Sequence, residues 1–305
     1  MSMENISRVV VVGGGKLGKA VGMVVGRREA SVDLWDANPA VVPGQKPLET
    51  LVPGADCVML CVPSWAMRAA VTSVLPHLAP GVLVVSFAKG IEKDTLQTMA
   101  EMVPSLLPPG QPFAVVGGPM LAAEIAAGTA AIGVFASKDP AALAKMTALF
   151  SDERFRVEIS ADPASVALAG VLKNIYAVML GIADGLMLSG NQKGWLVARA
   201  TVEMPAIAAA LGMDPEVMLG TAGMGDLVAT GYSVYSRNRE TGMEIVTTGT
   251  CSIQGEGLTS LPSLIARLGK EKAAAFPLMM LVNTIGIDCK PARQMFEAFF
   301  KDAGR

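Results

Sequence analysis

The chain has 305 residues, with 25 Lys and Arg against 27 Asp and Glu for a formal charge of −2, and its length points to about two domains rather than a small disulfide scaffold. There is no basic surplus to neutralise a phosphate backbone, so no nucleic-acid partner is expected. Hydrophobic residues reach 51% and charged ones only 17%, so a membrane span has to be tested along the chain.

The opening MSMENISRVV lacks the cationic start and apolar core of a secretory leader, and a cytoplasmic location is expected. Arg8–Val12, Ser31–Trp35, Cys57–Val62, Val82–Phe87, Phe113–Val116 and Ala131–Ala136 read as strands, mostly apolar throughout, as in a parallel sheet covered on both faces. Helices are predicted between them at Leu17–Arg28, Trp65–Leu75, Thr95–Met102, Leu121–Ala127 and Ala141–Phe150. This alternation implies an α/β Rossmann domain, a doubly wound sheet, over residues 1–160. The uncharged run Ala69–Ala88 approaches the length of a span, but Pro76, Pro80 and Gly81 interrupt it, and prolines break Val103–Ala123 in the same way. No membrane span is expected. Asp162-Pro163 then looks like an N-cap followed by proline at the first helical position, opening a helix to about Leu188. Further helices are predicted near Gln192–Leu211, Pro215–Leu219, Arg237–Val246, Thr259–Leu268, Pro277–Ile285 and Ala292–Lys301, with glycine-rich turns such as GTAGMGD between them. Residues 161–305 are therefore expected to form an all-α C-terminal domain that carries the substrate and catalytic groups.

Side-chain types narrow the chemistry. His77 is the single histidine, and Cys57, Cys61, Cys251 and Cys289 are not clustered, so neither a Ser-His or Cys-His pair nor a metal site is expected. Gly13-Gly14-Gly15-Lys16-Leu17-Gly18 follows the first strand and opens a helix, the context in which G-x-G-x-x-G binds a dinucleotide. Gly13 permits the tight turn, Gly15 the approach of a pyrophosphate and Gly18 close helix-strand packing. Asp36, ending the second strand, stands where a carboxylate meets the adenosine ribose hydroxyls, which favours NAD over NADP. Lys173 and Asn174 interrupt the apolar AGVLKNIYAVMLGIADG. An ammonium there would be costly to leave unpaired, so Lys173 either serves as an acid or base or snorkels to solvent, and its truncation is expected to spare the fold. Lys89 follows a strand, where ligands of open α/β sheets sit. Asp226 and Arg237-Asn238 supply an acid and a planar donor fork suited to phosphate, unless they are ordinary surface loops.

Taken together, the segments VVVVGGGKLG, VPS, FAKGIE, GGPMLAAEIAAGTAA, LAGVLKNIYAVMLGIADGL, AGMGDLVATGYSVYSRNR and IQGEGLTS resemble the NAD(P)-dependent sn-glycerol-3-phosphate dehydrogenase family. The β-hydroxyacid dehydrogenases, by contrast, carry GxxKxxxN, and Ala177 occupies its last position here. The resemblance implies an oxidoreductase that interconverts sn-glycerol 3-phosphate and dihydroxyacetone phosphate with NAD(H). Lys173 would exchange the proton, with Lys89 and Asp226 beside it. Lys89, Gly118, Lys173, Asn174, Asp226, Ser236, Arg237 and Asn238 would contact the anionic substrate. Gly13, Gly15, Lys16, Leu17, Gly18, Asp36, Pro63, Lys89, Ala122, Arg237 and Gln254 would line the cofactor, with Glu256 the alternative register for Gln254. A homodimer is expected from the oily composition, a large core being the other explanation. The chain departs from the family in its short connection from Pro39 to Cys57, in Met120 where a hydroxyl residue is usual, and in Gly231–Tyr235. These departures leave open another small phosphate- or phosphonate-bearing alcohol or ketone, or a catalytically silent NAD-binding regulator.

Overall fold

A computed structural model describes residues 6–250 and 255–302. The chain divides into two compact units, Met1–Lys89 with Gln97–Ala167, and Gly90–Leu96 with Leu168–Arg305.

The first unit is a seven-stranded sheet of β1 (Arg8–Val12), β2 (Ser31–Trp35), β3 (Cys57–Leu60), β4 (Leu83–Ser86), β5 (Phe113–Gly117), β6 (Ala131–Ala136) and β7 (Phe155–Ser160) in the order β2-β1-β3-β4-β5-β6-β7. Its helices are α1 (Lys16–Gly26), α2 (Leu48–Leu51), α3 (Met67–Val74), α4 (Met99–Leu106), α5 (Ala122–Ala126) and α6 (Pro140–Phe150). Both faces of the central strands are buried, because alternate residues point to opposite sides. Val9, Val11, Met59 and Val85 pack with Val21, Val24, Met146 and Phe150 of α1 and α6, while Val10, Val12, Val58 and Val84 pack with Leu51, Val71 and Met102 of α2, α3 and α4. That double burial explains the unbroken apolar runs.

Three points in this unit depart from expectation. The sheet is not parallel throughout, since β6 runs antiparallel to β5; only the five-residue α5 lies between them, whereas the 11-residue α6 carries the chain back to pair β7 parallel to β6. β7 itself was not expected, because FRVEIS alternates apolar and polar residues as a half-exposed edge strand does. The helix expected at Thr95–Met102 begins at Met99, where Thr98 and Glu101 form a capping box.

The second unit is built of α7 (Pro163–Gly185), α8 (Gly190–Ala210), α9 (Pro215–Leu219), α10 (Asp226–Tyr232), α11 (Arg237–Thr248), α12 (Glu256–Leu268), α13 (Lys270–Ala273), α14 (Pro277–Gly286) and α15 (Ala292–Asp302). The first turn of α7 belongs to the other unit, and Asp162 caps it by accepting from the Ser165 N–H at 3.0 Å. Among the described helices α7 alone is long and apolar enough to cross a membrane, and its most apolar stretch is wholly buried inside the protein. GTAGMGD is not an open turn. Thr221–Gly225 forms one wide π-type turn that leads directly into α10, with Gly223 so close to Met218 that a methyl group there would lie 2.0 Å from the Met218 carbonyl oxygen. Glycines also set the crossing of α7 and α11: a methyl on Gly181 would lie 2.0 Å from the Arg239 oxygen and one on Gly242 2.1 Å from the Val178 oxygen.

Candidate active site

In the first unit the strand order reverses at β1, whose neighbours are β2 and β3, and ligands of open α/β sheets bind beyond the carboxyl ends of strands at such a point. There Gly13 adopts φ +105°, its N–H donates to the Trp35 carbonyl at 2.8 Å, and an added Cβ would lie 2.6 Å from the Cys61 oxygen. Gly18 is equally constrained, its missing Cβ falling 1.8 Å from the Gly13 oxygen. Gly15 is the opposite case. Nothing lies within 4 Å of its missing Cβ, and as N-cap of α1 it contributes no side chain to the helix end. A bare, positively polarised helix terminus fronted by an open glycine fits a pyrophosphate. Lys16 is exposed and Leu17 half-buried at this helix start. Asp36 accepts from the Gly14 N–H at 2.8 Å, which joins the expected ribose-side carboxylate to the glycine loop. Pro63 follows β3 at the head of the short 3-10 turn Ser64–Ala66, and Ala122 opens α5. The neighbouring thiols of Cys57 and Cys61 are pushed far up by burial and are not nucleophiles.

Lys89 and Gly118, expected at the substrate, meet directly: Lys89 Nζ donates to the Gly118 oxygen at 2.9 Å, and Gly118 holds φ +88° in a bend where a Cβ would lie 2.8 Å from the Ile132 oxygen. Met120 is half-buried against the apolar core of the sheet, so the departure from a hydroxyl there is a packing contact.

In the second unit Lys173 does not snorkel. It is 6% exposed in the middle of α7, and its Nζ donates to Asp226 Oδ1 at 3.0 Å and to Thr230 Oγ1 at 2.7 Å. Thr230 also donates to Asp226 Oδ1 at 3.0 Å, closing a triangle. Asp226, a surface-loop residue on the alternative reading, is 1% exposed at the start of α10, and Thr230 lies one turn further along the same helix. Thr230 was missed among the candidate site residues; the signal was the spacing of four from Asp226, which aligns two side chains only once the segment is known to be helical. The ammonium is therefore compensated by a carboxylate and oriented by a hydroxyl.

Asn238 and Ser236 have structural work of their own. The Asn238 amide donates to Asn174 Oδ1 at 2.9 Å and accepts from the Gly257 N–H at 3.0 Å, tying α7, α11 and the start of α12 together. The Ser236 hydroxyl accepts from the Arg239 N–H at 3.2 Å as the N-cap of α11. Arg239, absent from the expected set, donates from Nε to Asp184 Oδ2 at 2.5 Å, and Lys193 pairs with the same carboxylate. Arg237, the first residue of α11, is exposed. Gln254 lies outside the described residues, and Glu256 is the first residue of α12.

Two family profiles match the chain: NAD-dependent glycerol-3-phosphate dehydrogenase N-terminus over residues 39–143 and the corresponding C-terminus over residues 162–297. A glycerol-3-phosphate dehydrogenase (NAD(P)+) from Geobacter sulfurreducens is 34% identical, over 94% of this chain and 95% of its own. One from Sphingopyxis alaskensis is 31% identical over 97% of both chains. Among solved structures, glycerol-3-phosphate dehydrogenase from Coxiella burnetii superposes with a TM-score of 0.86 at 27% identity, covering 97% of this chain and 99% of that one. The chain, in its sheet unit and its helical unit alike, belongs to the NAD-dependent glycerol-3-phosphate dehydrogenase family.

Proposed function

We propose that the protein interconverts sn-glycerol 3-phosphate and dihydroxyacetone phosphate with NAD(H). The observation that carries this reading is the buried Lys173–Asp226–Thr230 triangle, which holds one ammonium in a fixed direction. In the reducing direction Lys173 Nζ gives a proton to the substrate carbonyl oxygen, and in the oxidising direction the amine takes it back from the hydroxyl; Asp226 and Thr230 hold Nζ in place for both. When bound, the dinucleotide supplies the hydride donor or acceptor. Gly15 leaves the start of α1 open to its pyrophosphate while Gly13 and Gly18 set the turn and the close helix-strand packing behind it, and Lys16, Leu17, Pro63 and Ala122 are assigned to the same cofactor. Lys89, held on Gly118, and Asn174, fixed by Asn238, are assigned to the anionic substrate as well.

The phosphate handle falls to Arg237, whose exposed guanidinium can make two parallel charge-assisted bonds to a dianion. Ser236 and Asn238 set the helix start from which it projects. NAD(H) is favoured over NADP(H), because a 2′-phosphate would meet the Asp36 carboxylate. A homodimer belongs to the same reading, supported by the exposed Val228 and Tyr232, one turn apart on α10. Stopped assays following NADH absorbance test the reaction. Dihydroxyacetone phosphate should be turned over with kcat/KM far above that of dihydroxyacetone, and Arg237→Lys should erase most of that difference because a point charge cannot reproduce the fork. Equal kcat/KM for the two ketones in the wild type would overturn the assignment.

A further inference from the structure

The short connection after β2 is folded in an unusual way around one amide. The Asp36 N–H donates to Gln45 Oε1 at 2.7 Å, and Gln45 Nε2 donates to the Asp36 carbonyl at 2.7 Å, so one side chain satisfies both peptide groups of Asp36. The carboxylate is pinned as well, Oδ2 accepting from the Gly14 N–H at 2.8 Å and Oδ1 from the Asn38 N–H at 2.9 Å. Asn38 in turn accepts from Ala40 at 3.1 Å, and Gly44, at φ +76°, turns the chain so that Gln45 comes back to Asp36. The residues between are pressed on the glycine loop: a methyl on Gly14 would lie 2.3 Å from Val42 Cγ2 and 3.2 Å from Val41 Cγ1.

We propose that Gln45 is a positioning residue for cofactor choice: by clamping Asp36 it holds the carboxylate on the glycine loop, so that this side of the cradle accepts an adenosine ribose with a free 2′-hydroxyl and refuses a 2′-phosphate. The proposal rests on the reading that the first unit binds NAD(H) with Asp36 at the ribose. To admit a 2′-phosphate the carboxylate must swing away, which breaks a charge-assisted bond to a backbone N–H, or the whole turn must shift, which Gln45 prevents with two further bonds. With the clamp removed, the Asp36 carboxylate can leave the glycine loop and swing away from an added 2′-phosphate, so the gain falls on NADPH and depends on Asp36 being present.

Isothermal titration of the full chain with NADH and with NADPH tests this in the wild type, Gln45→Ala, Gln45→Met, Asp36→Ala and the Asp36→Ala/Gln45→Ala double variant. Gln45→Met keeps the length and apolar stem of the side chain and loses both hydrogen bonds. The wild type should prefer NADH by roughly tenfold or more, about 1.4 kcal/mol. Both Gln45 variants should narrow that ratio several-fold, and adding Gln45→Ala to Asp36→Ala should leave the ratio where Asp36→Ala put it. Without cofactor, amide exchange across residues 37–44 should quicken in Gln45→Met. If the Gln45 variants keep the wild-type ratio, or lose both cofactors in parallel, the positioning role is wrong while the Asp36 reading stands. A wild-type ratio near one overturns both.

Discussion

At the scale of single residues, the proposed acid–base role of Lys173 and its buried ion pair with Asp226 can be told apart by what their loss would cost. Lys173→Ala should lower kcat by roughly 10²–10⁴ with NADH affinity largely unchanged, the usual reach of one acid–base group. It should not be harmless to the fold, contrary to what the apolar sequence around it suggests: truncation leaves the 1% exposed Asp226 carboxylate without its cation, and breaking a buried pair from one side costs about 3–5 kcal/mol. Replacing both, as Lys173→Met with Asp226→Leu, should recover much of that stability in a urea titration while turnover stays lost. A single variant as stable as the wild type would show that the ion pair does not support the fold. Lys173, Asp226 and Arg237 were legible as motif residues. Their surroundings were not: the chain reads Asp226 and Asn238 alike as polar loop positions, and only the close packing of α7, α10 and α11 makes one a buried counter-ion and the other a buried strut.

Between elements, a carboxylate no motif would single out joins α8 to α14. Glu203, buried on α8, accepts from the Leu278 and Met279 N–H groups at 2.7 and 3.0 Å, which caps the start of α14, and from the Tyr176 hydroxyl at 2.8 Å. Burial raises the Glu203 carboxyl above the ordinary range, against the lowering by those three donors and by the nearby Arg199 charge. Because the folded-state value is the higher one, this group's contribution to stability is complete below the unfolded glutamate range and is lost as pH rises through the raised value. Glu203→Gln cannot titrate and leaves an acceptor short, so it should be the less stable protein, with the gap narrowing from pH 5 to pH 8 in paired urea titrations. A gap that widened with pH would reverse the assigned shift. Asp56 works in the other sense at the far end of the sheet. Burial disfavours its charge, but the Ser7 and Arg8 N–H groups and the Ser7 hydroxyl outweigh it and hold the carboxyl below the ordinary range. Its support for the first strand is therefore present above the unfolded aspartate range and lost on acidification. Among the elements themselves, the double-buried strands were plain in the sequence because burial on two faces removes polar residues; β7 was hidden because an edge strand keeps them.

For the whole molecule, binding in the first unit's cradle should register as stability. Cofactor at about 100 times its Kd adds about 2.7 kcal/mol to a state that binds it, so NADH should raise the thermal midpoint measurably and Gly15→Val, which fills the open approach to α1, should abolish the shift without lowering the midpoint of the free protein by the same amount. A sheet half followed by a helical half was legible from the switch in periodicity, although the compact sheet unit runs on through Ala167, past the boundary expected at residue 160. The assignment of Gly90–Leu96 to the helical unit was not, since it depends on contacts such as the Ile91 N–H with the Ser260 hydroxyl at 3.2 Å and Arg267 with the Leu96 carbonyl at 3.1 Å, far apart in the chain. The glycine crossing of α7 and α11 extends this unevenness to variation. In a saturation library sorted only for yield of folded protein, Gly181 and Gly242 should be depleted as severely as any core residue, since a single methyl on either collides with backbone, whereas Arg237 should pass that sort with every replacement and vanish only when growth is made to depend on turnover. The two sorts together would separate the residues that build this site from those that work in it, and directed evolution toward new substrates has its room in the second group.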